Sequence, residues 1–398
     1  MKNIDAGQNH FELSNSLVLI MAIASGITVS NLYYSQPLLV EIAESFHVTQ
    51  VSVGFVAMLT QIGYALGMLS ILPLADIKEK RFLIVSMLLC SACALLAMYF
   101  SFNITVISIA SFAVGFTSVV PQLIVPFAAQ LANPQERGKI IGSVMSGLFI
   151  GILVSRTFSG LIGEYWGWRI VYLIAAALMI ILAIFLSRML PLCPPTSSMK
   201  YQELFKSMVN LTKSLPVLRE ASLNGALMFA SFSAFWTSLV FLLESSHYNM
   251  GADAAGLFGL VGVTGAMAAP IVGRIADKRS PKFTVVIGMI SVTIAYICFI
   301  TLGFKLWGLI IGVVFLDLGV QSCQISNQAR VHSLNDEARN RLNTVYMVSY
   351  FSGGALGSYL GSYSYAHFGW YGVCSLGLLT QLIAFIALKT YKAKPHIF

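Results

Sequence analysis

A carboxylate and three amides follow one another along a single helical face in residues 316–330, LDLGVQSCQISNQAR. Asp317, Gln321, Gln324 and Gln328 are spaced i, i+4, i+7 and i+11, within a segment that is apolar from residue 306 onward. A carboxylate is costly in hydrocarbon, so this face is expected to line a bundle interior or a watery cavity. We interpret Asp317 as a proton-carrying group and Gln321 and Gln324 as substrate-binding groups. A buried Asp317 that only joins helices is the alternative.

Arg156 is the second charge that falls in the middle of an apolar segment. Its planar guanidinium suits a carboxylate or phosphate, which makes it a candidate for binding an anionic substrate. A counter-ion for Asp317 that separates during transport, and a side chain reaching the outer headgroups, are the alternatives. At about 1.5 Å per residue, Arg156 lies ~24 Å from the predicted cytoplasmic start of its helix, and Asp317 ~17 Å from the outside. The two charges are expected at unequal depth, with Arg156 nearer the outer surface.

Polar and aromatic residues also cluster in the first apolar segment, in the run NLYYSQPLL at 31–39. On a helix Asn31 and Tyr34 share one face, while Tyr33 and Gln36 share the neighbouring one. Pro37 is expected to kink the helix there and to free backbone carbonyls. We interpret the four side chains as substrate-binding; an aromatic belt at the membrane interface is the alternative.

The composition requires that these residues be positioned by membrane-spanning helices. Hydrophobic residues make up 57% of the 398, and charged residues only 10%, against roughly 25% in soluble proteins. Runs of about 20 apolar residues are long enough to span a bilayer. Twelve are predicted: 17–40, 50–74, 82–101, 104–131, 140–163, 170–190, 221–243, 254–275, 283–303, 306–331, 342–366 and 371–388.

The basic residues predict the orientation, because loops rich in Lys and Arg stay cytoplasmic. With the N-terminus inside, most Lys and Arg fall in cytoplasmic loops, and the alternate loops hold only Arg169 and Lys305. Both termini of this multi-pass protein are therefore predicted to be cytoplasmic, in the cytoplasmic (inner) membrane. The formal charge of +8 indicates anionic lipid headgroups as neighbours and needs no nucleic-acid partner.

The chain divides into two halves that resemble each other. Arg137 begins RGKIIGSVMSGLFIGILVSRTFSGLIGEYWGW, and 202 residues later Arg339 begins RNRLNTVYMVSYFSGGALGSYLGSYSYAHFGW, with Gly167-Trp168 and Gly369-Trp370 in step. The predicted parts are a cytoplasmic leader (1–16), an N-terminal six-helix half (17–190), a cytoplasmic linker with an amphipathic helix (191–220), a C-terminal six-helix half (221–388) and a cytoplasmic tail (389–398).

A charged loop motif recurs after the second and eighth spans, as LPLADIKEKR at 72–81 and GRIADKRSPK at 273–282. Ion pairs at such helix ends can hold one arrangement of helices and break in another. We interpret the recurring charges as a conformational latch; a solvated charge run that only anchors topology is the alternative. The latch residues are Asp76, Lys80, Arg81, Asp277, Lys278 and Lys282.

Over its whole length the chain resembles the major facilitator superfamily, whose loop motif G-x-L-a-D-r-x-G-r-K the second copy matches well. The resemblance implies an all-α membrane fold of twelve transmembrane helices in two pseudo-symmetric six-helix halves. NLYYSQPLL, SRTFSG at 155–160, LDLGVQ and RLNTVY at 341–346 resemble the bacterial drug:proton antiporters of that superfamily. The arginine that many such antiporters carry early in the fourth span is absent here.

These features predict a monomeric secondary active transporter that moves a small organic molecule by alternating access, in proton-coupled efflux. Proton-coupled uptake of a small organic anion or metabolite is the alternative within transporters. A nucleotide-driven pump is not expected, because no G-x-x-x-x-G-K-[ST] sequence occurs. The six histidines fall in loops or at span ends, so we expect no metal, no cofactor and no enzyme. A membrane-embedded enzyme and a non-transporting sensor remain the alternatives from other classes.

Overall fold

The computed structural model describes residues 14–133, 135–193, 201–262, 280–335 and 338–390, apart from the side chain of Asp76. This part of the chain is nearly all helical and contains no strand, which confirms the all-α prediction. Its helices are α1 (Asn15–Ser30), α2 (Leu39–Phe46), α3 (Gln50–Ile71), α4 (Leu74–Ile77), α5 (Lys80–Tyr99), α6 (Ile104–Thr117), α7 (Val120–Leu131), α8 (Arg137–Trp166), α9 (Trp168–Met189), α10 (Tyr201–Ser214), α11 (Pro216–Leu243), α12 (Ala252–Gly262), α13 (Pro281–Leu302), α14 (Leu306–His332) and α15 (Arg339–Thr390).

The described helices agree with twelve spans. Nine helical segments are long and apolar enough to cross a membrane, with α6 and α7 joined as one segment, Ile104–Leu131. The 52 residues of α15 would reach about 78 Å as one straight helix, more than twice the roughly 30 Å of a bilayer core. They count as two spans, because Gly369 breaks the helical conformation. The shorter apolar helices α1 and α12 complete the twelve.

The first predicted span, 17–40, is not a single helix. α1 ends at Ser30, residues 31–38 form consecutive turns, and α2 begins at Leu39. Short-range hydrogen bonds close the turns, among them Tyr33 N to Ser30 O (2.9 Å) and Gln36 N to Tyr33 O (3.2 Å). Pro37 has no N–H to donate and disfavours helical conformation in the residue before it. The kink that we expected at Pro37 is therefore a longer break, which begins at residue 31.

Both halves turn sharply at equivalent glycines. Gly167 follows α8 with φ 84°, and Gly369 interrupts α15 with φ 62°, a backbone region that favours glycine. The next residues, Trp168 and Trp370, are each 3% exposed. Their indole N–H groups donate to neighbouring helices at 2.9 and 3.0 Å. The Gly-Trp pairs that the sequence repeat aligned thus make the same turn in both halves.

Helix α10 lies in the predicted linker and contacts both halves. It buries Leu204 and Met208. The Tyr201 hydroxyl donates to the carbonyl of Ser70 in α3 (3.1 Å), and Arg341 of α15 donates to Ser207 of α10. The boundaries of the predicted leader, halves, linker and tail stay predictions.

One end of the bundle is where the two halves meet most closely, and we call it the closed end. In α8, a Cβ built on Gly160 would lie 2.4 Å from the carbonyl oxygen of Ala252 in α12. In α3, a Cβ built on Gly54 would lie 2.2 Å from Ser362 Oγ in α15. Only glycine permits helices to approach this closely. The closed end is defined by these four residues.

Contacts between the halves continue from the closed end to the middle of the bundle. Gln61 Nε2 of α3 donates to Ser358 Oγ of α15 (2.8 Å), and the rings of Tyr64 and Phe351 lie 4.5 Å apart. Toward the opposite end, a Cβ built on Gly142 of α8 would have no neighbour within 4 Å. The described contacts therefore hold the halves together at the closed end.

Candidate functional site

Arg156 lies between the two halves and is only 1% exposed. Its Nε donates to Gln36 Oε1 of the broken first span at 2.7 Å. Its Cζ lies 4.9 Å from the ring centroid of Tyr33, 5.5 Å from Phe232 and 4.1 Å from Trp236. These rings stabilise the buried cation by cation–π attraction. Such burial excludes a side chain that reaches the outer headgroups.

The polar groups around Arg156 include several donors without acceptors. Arg156 Nη1 and Nη2 and the indole Nε1 of Trp236 are buried and have no hydrogen-bond partner within the described part of the chain. Arg156, Gln36 and Trp236 line a narrow crevice, together with the apolar side chains of Leu239, Val240 and Ala255. Buried donors without acceptors are unfavourable, so this crevice is suited to a ligand that accepts hydrogen bonds.

Asp317 lies in the middle of α14 and is likewise 1% exposed. Its Oδ2 is buried without a hydrogen-bond partner among the residues described. No Arg156 nitrogen comes within 4.0 Å of its carboxylate, so the two do not form an ion pair in this conformation. They remain close enough for their charges to interact. The structure therefore contains a buried cation and a buried anion on different halves that do not pair.

Three glycines of α12 fit between Arg156 and Asp317. A Cβ built on Gly259 would lie 3.1 Å from Arg156 Cβ, and one built on Gly262 would lie 3.2 Å from the Asp317 carboxyl atoms. Gly256 packs against the Arg156 carbonyl. Gly259 and Gly262 are three residues apart, a rise of ~4.5 Å, which agrees with the expected unequal depth. The sequence predicted a span at 254–275, but we missed the role of its glycines at 256, 259 and 262, which fall on one helical face.

The amides predicted to accompany Asp317 separate along α14. Gln321 is 9% exposed, and its Oε1 is buried without a partner among the described residues. Gln324 accepts from the Tyr350 hydroxyl (3.3 Å), and Gln328 donates to Asn343 (2.9 Å). Gln321 therefore remains beside Asp317 with a free acceptor, while the two more distant amides bond to α15. The substrate-binding roles of Gln321 and Gln324 stay predictions.

The first span contributes two of its four predicted residues to the Arg156 cluster. Tyr33 and Gln36 contact Arg156 directly. Asn31 lies elsewhere, because its amide donates to the hydroxyls of Ser91 and Ser118 (3.3 and 3.2 Å) inside the N-terminal half. Tyr34 packs against Phe158, with ring centroids 5.8 Å apart. Both tyrosines are buried rather than in an interfacial belt.

The chain matches the family model of the Major Facilitator Superfamily over residues 18–334. It belongs to the Major Facilitator Superfamily. It is 40% identical over 375 residues to the uncharacterized transporter YgaY of Escherichia coli O157:H7, a match that covers 94% of this chain and 95% of YgaY. It is 22% identical to a probable sugar efflux transporter of Pasteurella multocida, over 94% of this chain and 91% of that protein.

The fold of this facilitator also matches solved structures. A bacterial homologue of the human lysosomal transporter Spinster, in an inward-facing and unoccupied conformation, superposes with a TM-score of 0.71 at 17% identity. The match covers 94% of this chain and 96% of that one. Family and fold together make the protein a multi-pass membrane transporter and not an enzyme.

The described residues of the predicted latch bond within their own halves. Lys80 bonds to Gln130, and Arg81 donates to the carbonyl of Leu190 (3.2 Å). Asp277, Lys278 and the side chain of Asp76 lie outside the described residues. Lys282 lies 4.0 Å from Glu220 of α11. The latch assignment stays a prediction.

Glu220 of α11 belongs to a second ionic cluster, which the sequence did not single out. It is 1% exposed and accepts from Arg330 of α14 at 3.0 Å. Arg330 also donates to Asn327, whose amide in turn donates to Asn224 (2.8 Å). Every member belongs to the C-terminal half. In the sequence, Glu220 lies at the start of one span and Arg330 at the end of another. Many other charges lie at span ends, so these two could not be distinguished from them.

Acidic side chains from both halves meet at the closed end. Glu164 Oε2 of α8 accepts from the backbone N–H of Ala252 (3.0 Å) and so caps α12 of the opposite half. Burial, together with the nearby charges of Glu164 and Glu44, raises the pKa of Glu41 to about 7. Burial and the Glu41, Glu44 and Glu164 charges raise the pKa of Glu244 to about 8. With these pKa values, Glu41 and Glu244 are partly protonated near neutral pH.

Proposed function

We propose that this facilitator couples the movement of a small organic molecule to protons, with Asp317 as the proton-carrying group. The supporting observation is a carboxylate in mid-span, 1% exposed, with one oxygen unpartnered among the described residues and no ion pair to Arg156. Burial without a partner favours the neutral form, and a neighbouring cation favours the charged form. Asp317 can therefore take up or release a proton as the halves change their separation.

The contacts between the halves support the alternating-access part of this proposal. The closed end is sealed by close helix contacts, and on the predicted orientation it faces outward. The conformation is then inward-facing, with Arg156 and Asp317 below the seal. Rocking of the halves would separate Gly160 from Ala252 and admit the substrate from the other side.

Efflux is the second candidate, which the antiporter resemblance and the name of the Pasteurella multocida relative favour. In an antiporter the substrate and the proton exclude one another. Asp317 would provide this exclusion if the substrate were a cation or a hydrogen-bond donor that bound its ionised carboxylate. The proton would then displace the substrate by neutralising Asp317.

Reconstitution in proteoliposomes tests the proton role. Efflux or uptake of a panel of labelled organic compounds is measured with and without a pH gradient, in the wild-type protein and in Asp317→Asn. We expect the wild type to concentrate a compound only when a gradient is present. The variant should exchange that compound without concentrating it, because it has no proton to carry.

The exposed Glu136 provides the matched control, since Glu136→Gln removes a carboxylate outside the site. This control should keep gradient-driven accumulation. Equal accumulation by wild type and Asp317→Asn would show that Asp317 does not carry the proton.

A further inference from the structure

The buried polar atoms without hydrogen-bond partners are donors on the Arg156 side of the site and acceptors on the Asp317 side. Around the crevice they are donors: Arg156 Nη1, Arg156 Nη2 and Trp236 Nε1. On α14 they are acceptors, Asp317 Oδ2 and Gln321 Oε1. These statements cover the described residues. A ligand that completes the crevice must bring acceptor atoms, and one that completes α14 must bring donors.

The free edge of Arg156 further specifies the acceptor. Nε is already used by Gln36, so the two terminal nitrogens, Nη1 and Nη2, are the pair that remains. Two parallel N–H groups match the two oxygens of a carboxylate in a bidentate arrangement. The rings of Tyr33 and Trp236 keep the guanidinium in place, and they present an apolar wall to the rest of the ligand.

The crevice is closed in this conformation, with no room for a water molecule, so a ligand can enter only after the halves separate. Leu239, Val240 and Ala255 make the remaining wall apolar. The site therefore suits an apolar organic body with one carboxylate rather than a polyhydroxylated sugar.

We propose that the substrate is a small organic monocarboxylate bound by Arg156, and that it moves in the same direction as a proton carried by Asp317. This rests on the proposed function and adds the substrate class and the sense of the coupling. The carboxylate takes the Nη1 and Nη2 edge, and its apolar body lies among the crevice side chains.

Charge balance gives the sense of coupling. With Asp317 ionised, Arg156 and Asp317 neutralise one another, and a bound carboxylate would add an uncompensated negative charge to a buried site. When Asp317 is protonated, the carboxylate and Arg156 balance instead. Proton and anion therefore raise each other's affinity, as linkage requires. One proton and one monoanion cross together, and no net charge moves.

Binding to the purified full-length protein tests the substrate class. The probes are acetate, lactate, benzoate and nicotinate, each paired with its neutral amide, and benzylamine as a cation. Melting shifts are measured between about pH 6 and 8, where the carboxylate probes stay ionised. We expect at least one carboxylate to bind, about tenfold more tightly for each unit of lower pH over the range in which Asp317 titrates. Its amide should bind at least about tenfold more weakly.

Variants connect this binding to the two residues. Asp317→Asn imitates the protonated acid and should bind the same carboxylate with no pH dependence. Arg156→Lys keeps the charge but loses the fork, and its affinity should fall at least about tenfold. Arg188→Gln, at an exposed position on α9, removes a cation elsewhere and should leave binding unchanged. Variants that do not bind are checked for folding by their melting temperature without ligand.

Three outcomes would overturn the inference: no carboxylate binds, an amide or benzylamine binds as well as its carboxylate, or carboxylate binding strengthens as pH rises. Transport in proteoliposomes separates these from failure of the proposed function. If an amide or amine is transported in response to the proton gradient, and Asp317→Asn abolishes that transport, then Asp317 carries the proton but Arg156 does not bind a carboxylate. If a carboxylate is exchanged at a rate that does not depend on the pH gradient, then Arg156 binds the carboxylate but Asp317 does not carry a proton.

Discussion

The bundle contains two sets of opposite charges with a buried acid: Glu220 with Arg330, and Asp317 with Arg156. They differ in whether the polar atoms have hydrogen-bond or ion-pair partners. Glu220 accepts from Arg330 at 3.0 Å and also lies 4.0 Å from Lys282. Asp317 and Arg156 do not pair, and three of their polar atoms have no hydrogen bond among the described residues. Both acids are 1% exposed, so burial alone does not distinguish them.

The difference follows from which bodies carry the charges. All members of the Glu220 cluster belong to one half, so its geometry is the same in every arrangement of the halves. Arg156 belongs to the N-terminal half and Asp317 to the C-terminal half, so their separation changes when the halves rock. A charge pair within one rigid unit stabilises that unit, whereas a pair divided between two units can respond to their motion. The unsatisfied pair is therefore the one expected to carry the transport cycle.

The largest expected effect is the loss of coupling in Asp317→Asn. Gradient-driven accumulation should fall at least about tenfold, because no other mid-span carboxylate remains to carry the proton. Thermal stability should stay within about 1 kcal/mol of wild type, since the lost carboxylate made no ion pair. An accumulation assay measures the loss of coupling, and a melting curve on the same preparation measures the thermal stability. A strongly destabilised variant would mean that Asp317 is a structural acid like Glu220.

Glu220→Gln should behave in the opposite way. It leaves the partly buried Arg330, whose side chain is 11% exposed, without its anion, and breaking such a pair costs up to about 3 kcal/mol. We therefore expect a clear drop in melting temperature, with the pH dependence of the remaining transport unchanged. Chemical or thermal unfolding in detergent measures the first, and gradient-driven flux the second. A variant with wild-type stability and altered coupling would break the contrast between the two pairs.

The close helix contact at the closed end provides a smaller, conformational effect. A methyl group at Gly160 must displace the Ala252 carbonyl, so Gly160→Ala should shift the equilibrium away from the closed arrangement by about 1–3 kcal/mol. Spin labels at the exposed His47 and His247, one on each half, would report a longer distance. Gly142→Ala is the control, because it makes the same change in the same helix with no neighbour within 4 Å. Equal distances in both variants would argue against a seal at Gly160.

The smallest effect expected is the pH dependence of the closed end. The pKa values of Glu41 and Glu244, about 7 and about 8, are raised in this conformation above the ordinary 4.5. Raised carboxyl pKa values mean that the closed arrangement is fully favoured below about pH 4.5. The preference for the closed arrangement is lost as the pH rises through about 7 and 8, because Glu41, Glu44, Glu164 and Glu244 then repel one another.

The same label pair, followed between about pH 5 and 9, should report increasing separation of the halves. Glu244→Gln removes the C-terminal half's member of the group and should flatten the response. The nearby Arg169 and Tyr172 are left in place in both proteins, so their contribution cancels. A wild-type distance that does not change over this range would rule out the acidic group as a pH-sensitive element.

Much of the architecture could be predicted because it depends on local chemistry. Hydropathy and length give twelve spans, since an unsatisfied backbone cannot cross a bilayer and each crossing needs a helix. The Gly-Trp turns at Gly167 and Gly369 were visible because positive φ favours glycine in both copies. The break at residues 31–38 includes Pro37, where the kink was expected, but its start at residue 31 could not be predicted, because residues 31–36 contain no proline or glycine.

The sequence by itself determined that Asp317 and Arg156 are exceptional, since a charge in mid-span is costly in any helical bundle. Only the tertiary structure decided that they stay unpaired and lie against Gly259 and Gly262 of α12. It also decided that Glu220, which looked like a loop charge, is buried and paired. The reason is physical: the cost of burying a charge belongs to the residue, but its partner is chosen by helices distant in sequence that packing brings together.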